Sequence, residues 1–261
     1  MFRPQSHRRA CLALGLALVA TAACTPPARP ETSNADVVAR ALAAPARAMD
    51  QAEDARRHPA DLIGLSGLRE DQRVLDLIPG GGYWTRIFSG VVGPRGRVYS
   101  VWPKAYADQQ LHSVQQLRDA AGTPPWANVT VLIQPTTELS APEPVDVVWT
   151  SQNYHDYNDP FMGSPGSRTL ATAAFRALKP GGVFIVIDHA AAAGRGLADT
   201  DTLHRIDPQT VRSEALAAGF EFAGESPVLA NPGDPRNIPV FDPAIRGHTS
   251  QFALKFRKPA R

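Results

Sequence analysis

Residues Val74–Phe88, VLDLIPGGGYWTRIF, constrain this chain more than any other stretch. Val74–Ile78 is a short apolar run of strand formers with one acid, Asp76, inside it. Pro79–Gly82 is a glycine turn, and Tyr83 opens a run of helical character. Buried strand, glycine turn and helix in direct succession are how an open α/β sheet builds a nucleotide pocket. Glycine lets the backbone come close to a ligand, and the helix N-terminus offers free N–H groups and partial positive charge. Three successive glycines have a large unfolded-state entropy, more than a plain turn needs, so Gly80, Gly81 and Gly82 are candidate ligand contacts. A carboxylate in an apolar strand is costly unless paired, and the turn's own N–H groups are partners within reach of Asp76.

The rest of the chain supplies further strand–helix units. Arg97–Trp102, Val129–Gln134, Val145–Thr150 and Val183–Asp188 read as strands. They are continuous apolar runs rather than alternating ones, as parallel strands covered on both faces require. Helices are expected over Tyr83–Val92, Lys104–Ala121 and Arg168–Leu178. Asp207–Gly219 is a further helix, with Asp207 as N-cap, Pro208 at the first position and Gly219 past the end. Phe220–Gly224 and Gln251–Phe256 form a last strand pair. The irregular stretch between them has prolines from Pro227 to Pro243 and is expected to pack over something. Ahead of the first strand, three helical stretches (Asp36–Ala44, Ala46–Arg57 and Ala60–Leu68) read as a lid or side wall.

Residues 1–24 read as a targeting segment. Arg3, His7, Arg8 and Arg9 form a basic start, and Cys11–Ala23 is an apolar run too short to span a bilayer as a permanent helix. Small residues before Cys24 resemble a bacterial lipoprotein leader, which would make Cys24 a lipid anchor. Cleavage after Ala22 or Ala23 is the alternative, and Arg8-Arg9 also resembles a twin-arginine signal. The expected location is therefore outside the cytoplasm, periplasmic or anchored to the envelope. Residues 25–33 are a Pro-rich linker, and 34–261 form one domain with no transmembrane helix expected after the leader. Both cysteines, Cys11 and Cys24, belong to the leader, so the domain holds no disulfide and no thiolate. Formal charge is +2, set by the leader's arginines; the nearly neutral domain has no footprint for nucleic acid.

Three stretches together resemble class I S-adenosylmethionine-dependent methyltransferases. They are the strand-acid-glycine turn at Val74–Tyr83, the fourth-strand segment Val145–Tyr157, and Ala177–Asp188 (ALKPGGVFIVID), where a helix ends in LKPGG before a strand. More closely, six motifs in order resemble a family of exported bacterial predicted methyltransferases. They stand at Pro79–Tyr83, Tyr154–Asp156, Leu178–His189, Leu203–Ile206, Glu214–Phe220 and Asn231–Phe252. The resemblance implies an α/β, Rossmann-like fold. Its seven-stranded, mostly parallel sheet would carry helices on both faces and follow an N-terminal helical extension.

The resemblance also implies S-adenosylmethionine as cofactor and an unidentified small molecule as methyl acceptor. Gly80, Gly81, Gly82 and Tyr83 would hold the cofactor, with Asp76 reaching toward its amino-acid end. Ile78 stands where the pattern has glycine. Trp102 ends the second strand, where an acid often binds both ribose hydroxyls; it would wall the adenosine instead. Gln134 would read the adenine. After the fourth strand, Tyr154, His155 and Asp156 are the candidate catalytic group, with His155 as general base. The Ser151–Tyr154 segment lacks the proline pair of amine-methylating enzymes. His189, His204 and Arg205 are candidates to line the crevice. A His155/His189/His204 metal site is conceivable, but no short ligand spacing marks one and no metal is expected. The alternative reading is a non-catalytic exported protein that keeps the fold and binds another ligand or partner.

Overall fold

The computed structural model describes residues 1–2 and 33–260, so the leader, Cys24 and nearly all of the linker lie outside the described residues. The chain begins with helix α1 (Asn34–Leu42), capped by Ser33 rather than Asn34. Helix α2 (Asp54–Arg57) and helix α3 (Pro59–Ser66) follow. The stretch expected as one helix over 46–57 is instead two 3-10 turns, Pro45–Arg47 and Gln51–Glu53, leading into α2. Within it Arg47 pairs with Asp54, Asp54 accepts from Tyr83 and Asp50 pairs with Arg86, both residues of the helix that follows the glycine turn, and those tertiary partners override helical continuity.

The expected alternation then unfolds in order. It runs β1 (Arg73–Leu77), α4 (Tyr83–Val92), β2 (Arg97–Pro103), α5 (Lys104–Gln109), α6 (Leu111–Ala120) and β3 (Val129–Gln134). It continues with β4 (Val145–Ser151), α7 (Ser167–Ala177), β5 (Leu178–His189), α8 (Thr200–Leu203), α9 (Pro208–Ala217), β6 (Glu221–Ser226) and β7 (Gln251–Arg257). The helix expected over 104–121 breaks at Gln110, whose φ of −120° is not helical. The sheet has seven strands in the order β3-β2-β1-β4-β5-β7-β6. Pairs within β1–β5 are parallel, and β7 runs antiparallel to both β5 and β6.

Alternate residues of each strand serve the two faces. Val74, Val98, Val147, Trp149 and Ile185 pack under α1, α3 and α4. Leu75, Leu77, Val101, Val148, Phe184 and Val186 pack under α6, α7 and α9. Asp76 falls on the α4 face, flanked in register by Ser100 of β2 and Trp149 of β4. Its expected N-cap role fulfilled, Asp207 accepts from the Gln209 N–H at 2.9 Å and starts α9. From β1 the chain winds outward to β2 and β3, then returns to β4 on the other side. The crevice at that reversal, beyond the carboxyl ends of β1 and β4, is where ligands bind in such sheets. No helix among the described residues is long and apolar enough to cross a membrane.

Candidate active site

The carboxyl ends of β1, β4 and β5 open into a cavity of about 500 Å³. Its floor is the turn after β1. Ile78 has a left-handed backbone, the conformation glycine adopts most easily, at φ 52°. That conformation costs a β-branched residue on the order of 1–3 kcal/mol. The burial of its side chain and a hydrogen bond from its N–H to the Val101 carbonyl at 2.9 Å hold it there. Gly80 and Gly81 line the cavity, and a Cβ on either would meet no protein atom within 4 Å. Their backbone is open to direct contact with a ligand. Gly82 differs. It does not line the cavity, and a Cβ there would sit 2.9 Å from the Arg86 guanidinium and 3.0 Å from Leu117. Glycine at 82 serves the turn (φ 83°) and packing, which corrects its expected place among the ligand contacts.

The N-terminal extension fixes this turn from outside. Arg86 donates to the Gly81 carbonyl at 2.7 Å and pairs with Asp50 at 2.6 Å. Tyr83 lines the cavity and donates its hydroxyl to Asp54 at 2.7 Å. Asp54 is held in turn by buried Arg47, and the Arg57 guanidinium lies 4.7 Å from the Tyr83 ring centre. Asp76 reaches the cavity from the end of β1. It is 2% exposed and accepts from the Thr85 hydroxyl at 2.6 Å. Burial pushes its pKa up to about 7, against the Thr85 hydrogen bond that pulls it down.

Two expected cofactor contacts lie elsewhere. Trp102 is fully buried in the core and does not line the cavity; Tyr106 of α5, 6.1 Å from it between ring centres, is the wall that does. Gln134 is turned outward at the end of β3, where its amide bonds the backbone and hydroxyl of Ser140 and pins that loop. The break at Gln110 brings Gln109 and Gln110 to the cavity instead. Both lie inside the helix expected over 104–121, so nothing in the sequence marks them as cavity residues.

After β4, a 3-10 turn (His155–Asn158) sorts neighbouring side chains to opposite sides. Tyr154 points into the core and donates to Glu214 at 2.8 Å, so it takes no part in the cavity. His155 and Asp156 line it. His155 Nδ1 lies 2.8 Å from Asp188, and Nε2 lies 3.0 Å from Asp156. Burial works against its charge, but the carboxylates at both nitrogens prevail and raise its pKa well above the usual value. With a carboxylate at each nitrogen, neither is free to take a proton from a substrate, so the geometry holds this ring in place rather than presenting it as the general base expected of it.

His189 ends β5 and lines the same cavity. Its Nδ1 is 2.8 Å from the Thr249 hydroxyl, and burial lowers its pKa to about 4, so the ring is neutral. Nε2 remains for the cavity. His204 also lines it, edge-on to His155 and Phe241. Arg205 does not: it is 0% exposed, pairs with Asp234 at 2.7 Å, and donates to the Ala190 and Ile238 carbonyls. That pair anchors the proline-rich stretch, which brings Val240 and Phe241 over the cavity as its outer wall.

No protein-family model and no curated protein sequence matches this chain. Solved structures share its fold. A SAM-dependent methyltransferase from Aquifex aeolicus matches with a TM-score of 0.55 at 18% identity, over 87% of this chain and 99% of that one. A chain of the complex between the Haloferax volcanii Trm112 methyltransferase activator and a methyltransferase matches with a TM-score of 0.56 at 16% identity, over 86% and 98%. The [4+2]-cyclase SpnF matches with a TM-score of 0.57 at 17% identity, over 79% and 82%. The architecture is thus that of SAM-dependent methyltransferases, with a ligand cavity at the place their sheet topology provides. At these identities the likeness establishes the fold, and the reaction must be argued from the site.

Proposed function

We propose that this protein binds S-adenosylmethionine on the Gly80–Gly81 turn and methylates a small molecule held in the same cavity. The open backbone of Gly80 and Gly81 beside buried Asp76 carries this reading. A cofactor with a cationic amino-acid end finds close backbone contact and a counter-charge there. Gln109 and Gln110 offer amides after β2, where the pattern has an acid, and Tyr106 and Phe161 offer apolar walls. When bound, the cofactor supplies an electrophilic methyl group for in-line transfer.

The chain's task is then mostly positioning. The walls exclude water. Where the acceptor must lose a proton, His189 Nε2 is the neutral acceptor, with its ring oriented by Thr249. Gly81 provides the test, because its φ is not left-handed and a Cβ there meets no protein atom within 4 Å. Gly81→Val is expected to keep the melting temperature within about 2 °C of the wild type while lowering cofactor affinity at least tenfold by calorimetry. If the wild type binds neither the cofactor nor its demethylated product, the proposal fails.

A second reading, a non-catalytic binding protein, draws support from Ile78 at the glycine position and from the missing acid at Trp102. Bound cofactor without turnover across a panel of acceptors would favour it. We further propose that residues 1–24 direct export, with Cys24 as lipid anchor. Changing Arg8 and Arg9 to lysine is expected to abolish export if the chain leaves folded by a twin-arginine route. Cell fractionation reads the result, and unchanged export excludes that route.

A further inference from the structure

Beside the glycine turn, the cavity carries a second constellation that the methyl-transfer reading does not use. His155, Asp156, Asp159 and His204 each offer one ligand atom, and these atoms lie within 4.8 Å of one another. Three of the residues come from one short turn, while His204 arrives from the end of α8 on a left-handed backbone at φ 54°. We propose that these four side chains bind a single divalent first-row transition-metal ion.

The Asp159 carboxylate is the first reason. It is 0% exposed, yet neither oxygen has a hydrogen-bond partner among the described residues. The neighbouring Thr200 hydroxyl donates to the Leu197 carbonyl instead. A buried carboxylate without donors is unfavourable, and a cation on its open side removes the penalty. The support behind His155 is the second reason. Asp188 accepts from the His155 backbone N–H at 2.9 Å and lies 2.8 Å from Nδ1, which fixes the ring and aims Nε2 into the cluster. A carboxylate behind a histidine is the usual outer support of a metal ligand. Nε2 and the Asp156 carboxylate face each other at 3.0 Å. The ion would stand between them as the two move apart, with Nε2 unprotonated when it binds.

Size and donor chemistry agree. Metal–ligand bonds of about 2.0–2.2 Å place ligand atoms about 3–4.4 Å apart, so modest side-chain adjustment closes this cluster on one ion. Two imidazoles with two carboxylates suit zinc, manganese, iron or cobalt, and disfavour calcium or magnesium, which prefer all-oxygen sites. His155, Asp156 and His204 line the cavity, so the ion would face it with coordination positions free for an oxygen of a bound molecule. The site stands independently of the cofactor proposal.

The test uses the untagged chain, stripped with a chelator and dialysed against zinc or cobalt chloride. The expected result is one ion per chain by elemental analysis and a melting temperature raised by several degrees. Cobalt would add visible absorption bands that identify nitrogen and oxygen ligands. Asp159→Asn is expected to melt no lower than the metal-free wild type, since it removes an unpartnered charge, and to lose at least tenfold in metal affinity. His204→Ala, at a half-exposed position, should lose affinity likewise if the first variant folds poorly. His112→Ala, on α6 outside the cavity, should bind as the wild type does. Binding below one ion per chain, or full binding retained in both cluster variants, would overturn the proposal.

Discussion

Replacing Arg205 by methionine is expected to lower the free energy of unfolding by about 3–5 kcal/mol, the cost of breaking a buried ion pair from one side. Both partners of this pair are 0% exposed at their side chains. Arg205 also satisfies the Ala190 carbonyl at the end of β5 and the Ile238 carbonyl in the proline-rich stretch, so three groups lose their donor at once. Asp234 keeps the Ser250 N–H at 2.6 Å and the Arg236 N–H at 3.0 Å, which places the loss toward the lower end. Adding Asp234→Asn should recover part of it, because the stranded charge is gone while an acceptor remains. Urea unfolding measures both. A loss below about 1 kcal/mol for the single variant would mean that the proline-rich stretch is held by its apolar contacts rather than by this pair. The same variant loosens the segment carrying Val240 and Phe241, so ligand affinity should fall with stability.

The second large effect concerns pH. Burial raises the Asp76 pKa to about 7, whereas an unfolded aspartate titrates near 3.9. The folded state therefore holds its proton more tightly than the unfolded state. The stability contributed by this protonation is fully present below pH 4, declines as pH rises through 7, and is gone above it. Three units correspond to about 4 kcal/mol across that window. In Asp76→Asn this component disappears while the other titrating groups remain. The difference in unfolding free energy between wild type and variant should shift by a few kcal/mol between pH 4.5 and pH 8, in favour of the variant at high pH. A shift under about 1 kcal/mol would place Asp76 in a better-solvated setting than its contacts indicate. A cation bound beside Asp76 favours the ionised form, so cofactor affinity should rise from pH 6 to pH 8 in the wild type alone.

Much of this architecture is legible in residues whose local preference and tertiary role agree. Helix α4 and strand β3 occupy the spans their patterns predict, Tyr83–Val92 and Val129–Gln134. The five apolar runs became five parallel strands, the inner four covered on both faces and β3, at the sheet edge, only partly buried. Discrepancies arise where a side chain's partner is remote in sequence. Trp102 ends the right strand, but its side faces the core and cedes the cavity wall to Tyr106. Tyr154 and His155 are adjacent in a motif yet point in opposite directions, because a 3-10 turn rotates each residue by about a third of a circle. Nothing in the spacing links Asp159 to His204, since only the fold joins the turn after β4 to the end of α8. The carboxylate pair around His155 likewise joins Asp156 to Asp188 across two strands. Sequence shows the histidine and not the charge it acquires.

The place of β7 between β5 and β6 has a consequence for how the chain is made. Of the described strands it is synthesised last, and until it arrives β5 presents a bare, largely apolar edge and β6 has no partner. During synthesis the sheet is an open template for pairing with other chains, the setting in which edge-to-edge aggregation begins. A premature stop anywhere before Gln251 would leave that edge permanently exposed. Truncated products should accumulate as aggregates rather than as smaller soluble domains.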